Sequence, residues 1–192
     1  GVMIEDQKWP KKCGHTKGKD VVDLDEANSR IKAAVDAREY GNKDILIMAR
    51  TDAIATRGLD DAIKRMQSFS KLGVDILFIE AVKNKEDMKR IIKEVPGHHM
   101  LNLIEDGETP LLEINEIEEI GYKIAVMPLT LMSASVKTMQ ECLNNMKNKV
   151  YNKNVSKFSD LRDIVGFNEY YDIEDKYKSV SYTHLRAHET LQ

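Results

Sequence analysis

The chain has no apolar run near the ~18–20 residues that a bilayer-spanning helix needs, so the sequence predicts a soluble protein without a membrane partner. It lacks a basic excess: 29 Lys and Arg stand against 32 Asp and Glu, a net charge of -3. Binders of phosphate backbones usually carry such an excess, so no nucleic-acid partner is expected. Cysteine is scarce, with only Cys13 and Cys142. Two cysteines in a charged chain of this length make no disulfide framework, and they suit a reducing cytoplasm. Neither GxGxxG nor GxxxxGK(S/T) follows any apolar run, which weighs against dinucleotide-binding and P-loop readings. The chain opens on Gly1 rather than Met, and no signal-peptide pattern precedes it.

What is present is enough to build one core. Of 192 residues, 42% are hydrophobic and 32% charged. Short apolar runs at 1–4, 45–49, 75–79, 100–104 and 122–127 read as strands buried on both faces. Between them, 27–40, 59–72, 85–95 and 112–120 carry helical spacing, with Asp25 or Asn28 as caps of the first and Gly73 closing the second. A longer helix is predicted over 131–149, with Met132, Val136, Met139, Leu143 and Met146 on one stripe and Cys142 read as a core position among them. Alternating strands and helices predict a parallel α/β sheet.

Each strand carries polar residues at or just past its carboxyl end: Glu5 and Asp6, Arg50 and Asp52, Glu80, Asn102 and Glu105, and Thr130. In a (β/α)8 TIM barrel these ends meet at one face, where active sites lie. Five strands do not close such a barrel. At ~30 residues per unit, about three units are expected before Gly1. One incomplete barrel domain with C-terminal helices is therefore predicted over 1–178. The segment 179–192 reads as a translated adapter-like tail, so the spacing of His184 and His188 is not taken as a metal site.

The loop after the first strand holds the densest chemistry. Lys11, Lys12 and His15 surround Cys13, and neighbouring cations favour a thiolate. Gly14 permits close backbone approach to a ligand. Strand-end carboxylates suit Mg2+, which prefers hard oxygen ligands and keeps several waters.

KKCGH at 11–15 resembles the catalytic loop of isocitrate and methylisocitrate lyases. VMIEDQ at 2–7, MARTDA at 48–53, FIEA at 78–81 and NLIEDGETP at 102–110 resemble further blocks of the isocitrate lyase/phosphoenolpyruvate mutase superfamily, in the same order. The resemblance covers residues 1–175. It implies a C–C lyase that cleaves a 2-hydroxy di- or tricarboxylate to a 2-oxo acid and a carboxylic acid. It implies Mg2+ as cofactor, with Mn2+ as a substitute, and a homotetramer with exchanged C-terminal helices. Glu5 resembles the glutamate of the metal shell, and Cys13 the acid that protonates the nascent enediolate. Gly14, His15, Arg50, Glu80, Asn102 and Glu105 resemble contacts to the substrate.

Three departures stand out. The family's metal-binding aspartates and Ser-Gly-Gly loop are expected upstream of Gly1, which predicts that these 192 residues alone are inactive. Leu103 and Ile104 replace the family's Ile-Thr. Ser133, after Pro128 and Leu129, stands where methylisocitrate lyases carry an arginine, and this favours a substrate with one fewer carboxylate, such as 2,3-dimethylmalate. Oxaloacetate decarboxylation and phosphonopyruvate chemistry are alternatives within the superfamily, though its mutases and hydrolases usually lack the loop cysteine, so Cys13 favours a lyase. A non-catalytic barrel is the alternative outside it.

Overall fold

The computed structural model describes residues 1–13 and 18–189, with side chains through 178. The chain forms two compact units, one of residues 1–135 and one from 136 onward.

The first unit alternates strands and helices. In order these are β1 (Val2–Glu5), α1 (Leu24–Tyr40), β2 (Ile47–Thr51), α2 (Ile54–Arg57), α3 (Leu59–Lys71), β3 (Ile76–Ile79), α4 (Lys85–Glu94), β4 (His98–Asn102), α5 (Ile114–Ile120) and β5 (Ile124–Val126). The five strands form one parallel sheet in the order β1-β2-β3-β4-β5. Crossovers between parallel strands are right-handed, so sequential order puts every helix on the same side of the sheet. Accordingly α1 packs on β1 and β2, α3 on β2 and β3, and neighbouring helices touch in turn. This is the partial (β/α)8 barrel that the sequence predicts.

Side chains alternate across the strands. Ala49, Leu77, Ile79 and Leu101 point to the helices and join Ile31, Met66, Phe69, Met88 and Ile91 in the core. Each such buried side chain contributes roughly 1.5–3 kcal/mol. The other set faces away from the helices. The register aligns Glu5 with Arg50, Arg50 with Phe78, and Phe78 with Met100.

The expected elements form, with shifted ends. Helix α1 starts three residues early, because the cap is Asp23, not Asp25 or Asn28: its carboxylate accepts from the Glu26 amide at 2.8 Å. Strand β2 begins at Ile47 rather than Ile45 and runs through Arg50 to Thr51. The Ile47 amide donates to Asp75 Oδ2 at 2.8 Å and Leu46 is left exposed, so the ladder starts later than the apolar run. Short α2 is absent from the sequence reading. Gly121 ends α5 at φ +118, where a Cβ would meet Ile92 Cγ2 at 2.8 Å.

Helix α6 (Thr130–Lys147) straddles the boundary, and the second unit continues with α7 (Phe158–Ile164) and α8 (Phe167–Glu189). The predicted stripe on α6 is real, but it is not core. Met132, Val136, Met139, Leu143 and Met146 are exposed and Cys142 is only half-buried. Helical period shows that one face is apolar; it does not show what covers that face. Among the described residues, no helix is long and apolar enough to cross a membrane.

Candidate active site

The strand ends bring Glu5, Arg50, Glu80 and Asn102 together. Arg50 is the centre. Its Nε and Nη2 donate to Asp52 Oδ2 and Oδ1 at 2.8 and 3.0 Å, a bidentate pair. Nη2 also lies 2.9 Å from Glu80 Oε2, and Nε lies 3.6 Å from Glu5 Oε2. The guanidinium stacks over its register neighbour Phe78, 5.3 Å from the ring centroid. Burial disfavours the charge on Arg50, but Asp52, Glu80 and Glu5 outweigh it and raise its pKa.

Glu80 is held from two more sides. Its Oε1 accepts from the Ala81 amide at 3.1 Å and from Asn102 Nδ2 at 3.4 Å. Ala81 sits at φ +62, a left-handed conformation that costs an L residue about 1–2 kcal/mol. Asn102 Oδ1 is buried without a hydrogen-bond partner among the described residues, leaving an acceptor open for a donor at the site. Glu105 lies just past β4. It accepts from the Thr130 hydroxyl at 2.5 Å, which lowers its pKa, and it is exposed.

The loop after β1 returns to the same end because its base is pinned. Gln7 bridges to Val21, the Lys8 amide donates to the Asp20 carbonyl at 2.9 Å, and Lys8 pairs with Asp20. Within the loop, Gln7 Nε2 donates to the Lys12 carbonyl and the Lys12 amide donates to Gln7 Oε1, both at 3.0 Å. Lys11 then reaches Glu5 at 2.8 Å. This places Cys13, an exposed thiol, one residue beyond a segment fastened to β1. Gly14 and His15 lie outside the described residues.

Among the described residues, three carboxylates (Glu5, Asp52, Glu80) face three cations, Arg50, Lys11 and Lys19, whose Nζ is 4.0 Å from Asp52 Oδ1. Among the described residues no three His, Cys, Asp or Glu side chains form a group able to hold a metal ion. Glu5, the carboxylate expected in a metal shell, is held here by Lys11 and lies 3.6 Å from Arg50; alone it would offer an ion such as Mg2+ one hard-oxygen contact.

Three buried groups lie behind the site: Asp6, which the sequence marks only as a strand-end carboxylate, and Thr51 and Arg65, which went unnoticed. The Asp6 carboxylate accepts from Thr51 Oγ1 at 2.6 Å, from the Asp52 amide at 3.1 Å and from Arg65 Nη1 at 3.1 Å. Burial pushes the Asp6 carboxyl up, against the pull of these donors. Asp52 carried a signal, since it follows a strand end beside an arginine. Arg65 carried none: a charged residue within a helix ordinarily reads as solvated.

A parallel sheet with helices on one side and ionisable side chains gathered at its carboxyl ends defines a partial (β/α)8 barrel, with this cluster at the end where such barrels carry their sites. The chain belongs to the phosphoenolpyruvate phosphomutase family, whose model matches residues 1–147. It is 39% identical over 180 residues to 2,3-dimethylmalate lyase of Eubacterium barkeri, covering 92% of this chain and 62% of that one. It is 35% identical over 173 residues to 2-methylisocitrate lyase of Aeropyrum pernix, covering 88% and 55%. The fold matches a crystal structure of 2,3-dimethylmalate lyase with a TM-score of 0.80 at 30% identity, over 92% of this chain and 60% of that one. The chain thus spans about 60% of the length of these relatives.

Proposed function

We propose that the protein cleaves a carbon–carbon bond in a 2-hydroxy dicarboxylate, giving a 2-oxo acid such as pyruvate and a carboxylic acid. The observation that carries this is the convergence of Arg50, Glu80 and Asn102 with Glu5 and the Cys13 loop at one end of the sheet. Arg50 presents a planar fork for a carboxylate or oxyanion. The open Asn102 Oδ1 accepts from a substrate hydroxyl. In the reaction the hydroxyl proton passes to solvent, the bond between the hydroxyl-bearing carbon and its neighbour breaks, its electron pair going to the departing half, and the hydroxyl carbon becomes the carbonyl of the 2-oxo acid. The other half leaves as an enediolate and takes a proton at carbon from the Cys13 thiol. Glu105, Gly14 and His15 are proposed as further substrate contacts.

A dicarboxylate would bring two negative charges to a site where, among the described residues, three cations already face three carboxylates, and a divalent cation would offset them. Mg2+, or Mn2+ in its place, would supply Lewis-acid polarisation of the hydroxyl and carbonyl oxygens. Glu5 would approach it through water, with the rest of its shell provided by substrate and by residues outside the described set.

Ser133 favours a dialkylmalate over a tricarboxylate, since a serine offers no charge to a third carboxylate. The relatives named dimethylmalate and methylisocitrate lyase are consistent with either substrate. A homotetramer is proposed with this activity, to be checked by sedimentation.

The test is pyruvate release. The protein, expressed with whatever coding sequence precedes Gly1, is incubated with Mg2+ and 2,3-dimethylmalate and coupled to lactate dehydrogenase. Cleavage is expected, and Cys13→Ser is expected to slow it by about 100-fold or more. Full turnover by Cys13→Ser refutes the proton-donor role. No cleavage of any C4 to C7 2-hydroxy dicarboxylate refutes the lyase reading.

A further inference from the structure

We propose that Asp6 and Arg65 are positioning residues, which hold Arg50 and Glu5 in register from the helix side of the sheet. The inference rests on the lyase reading for what is positioned, and on the buried network for how.

Adjacent carboxylates on a strand point to opposite faces. Glu5 faces Arg50 and Lys11, whereas Asp6 turns towards α3. There Arg65 meets it. Both side chains are 1% exposed, and Arg65 Nε is fixed in turn by Asp61 Oδ2 at 2.6 Å. Inside that layer the interaction is little screened by salt, and loss of Arg65 leaves Asp6 a buried carboxylate without a cation, while loss of Asp6 leaves Arg65 with Asp61 alone.

The geometry links this pair to the site through a continuous chain of contacts. Asp6 Oδ2 accepts from Thr51 Oγ1, and Asp6 Oδ1 accepts from the Asp52 amide. These two residues follow Arg50 directly. Asp52 then grips Arg50 with both carboxylate oxygens, and Arg50 reaches Glu5 and Glu80. The Asp6 amide donates to the Arg50 carbonyl at 3.3 Å, closing the strand ends together. One helix-borne guanidinium thus ties down a segment where β1 and β2 both contribute to the mouth. An apolar pair could fill the same space. What the ions add is a directional tie, since a buried pair is weak evidence of stability and better evidence of register.

The experiment compares wild type, Arg65→Met, Asp6→Asn and Arg65→Lys in the same full-length protein, well below each variant's Tm. Two quantities are read per folded molecule: kcat/KM for C–C cleavage, and Mn2+ affinity by electron paramagnetic resonance. Arg65→Met and Asp6→Asn are expected to lower kcat/KM by about 10- to 100-fold, as small displacements of reacting groups do. Mn2+ affinity is expected to fall by about tenfold, as it does when groups that orient a metal ligand are lost. Arg65→Lys keeps the charge and should recover part of both. Should Arg65→Met not fold, Asp6→Asn carries the comparison, because it preserves shape and the acceptor for the Asp52 amide. A fall in Tm with both quantities within about twofold of wild type reduces the pair to a structural tie and overturns the proposal. If wild type cleaves nothing but binds Mn2+, the lyase reading falls and the Mn2+ comparison alone decides the positioning. If it does neither, both fall.

Discussion

Asp52 holds Arg50 with both carboxylate oxygens, at 2.8 and 3.0 Å, two residues further along the same strand end. Arg50 is therefore not an empty receptor. An internal carboxylate already sets the plane of its fork, and Glu80 occupies a further edge. Under the proposed function a substrate carboxylate would share or displace one of these contacts, and its affinity would depend on how firmly Asp52 is itself held.

Removing Asp52 should uncouple those effects. In Asp52→Ala, Arg50 keeps Glu80 and Glu5 but loses its bidentate partner, and Lys19 loses the carboxylate 4.0 Å from its Nζ. Breaking a buried pair costs about 3–5 kcal/mol when the remaining charge is uncompensated. Here it is partly compensated, and about 2 kcal/mol of stability should be lost by urea unfolding, with kcat/KM lowered as well. Wild-type stability together with wild-type kcat/KM would show that Asp52 does not orient Arg50.

Ser133 offers a test of selectivity. It lies near the start of α6 and its side chain is exposed, so an arginine fits without steric cost. Ser133→Arg should raise kcat/KM for methylisocitrate relative to 2,3-dimethylmalate by about 10- to 100-fold, the worth of one charge-assisted hydrogen bond. Parallel progress curves on both substrates give the ratio. An unchanged ratio would remove Ser133 from the specificity argument.

Much of this architecture is local and therefore legible. Strand and helix spacing, the order of the strands and the polar residues at their ends lie within short windows of sequence. What stayed hidden depends on distance along the chain. Asp6 and Arg65 are 59 residues apart, and nothing in either window marks them as partners. Arg65 looks like one more helix charge until the register of β1 places a carboxylate beneath it. The apolar stripe on α6 failed differently. Its period was read correctly, yet burial is a property of what packs against a face, and that face is exposed. The late start of β2 has the same origin: Asp75, 28 residues on from Ile47, captures the amide that begins the ladder.

His99 makes stability depend on pH, with a sign fixed by its surroundings. It lies on β4, buried to 2% exposure, with Nε2 2.9 Å from the Val95 carbonyl and its ring edge-on to Tyr122 at 6.2 Å. Burial lowers its pKa from the ordinary 6.5. The Val95 carbonyl opposes that shift, and neighbouring His98 adds to it. The ring is thus held neutral, donating through Nε2, while the unfolded chain takes up a proton as pH falls through 6.5. The unfolded state binds more protons in that window, so stability is full above 6.5 and declines as pH falls from there towards the depressed folded value. The decline is at most about 1.4 kcal/mol per pH unit, the limit for one proton. In His99→Leu the carbonyl contact is lost, at about 1 kcal/mol near pH 7.5, but this slope goes with it. Urea midpoints at pH 7.5 and 5.5 should therefore lie closer together in the variant than in wild type. An equal spacing would mean that His99 is protonated in the folded protein, and that another group carries the acid sensitivity.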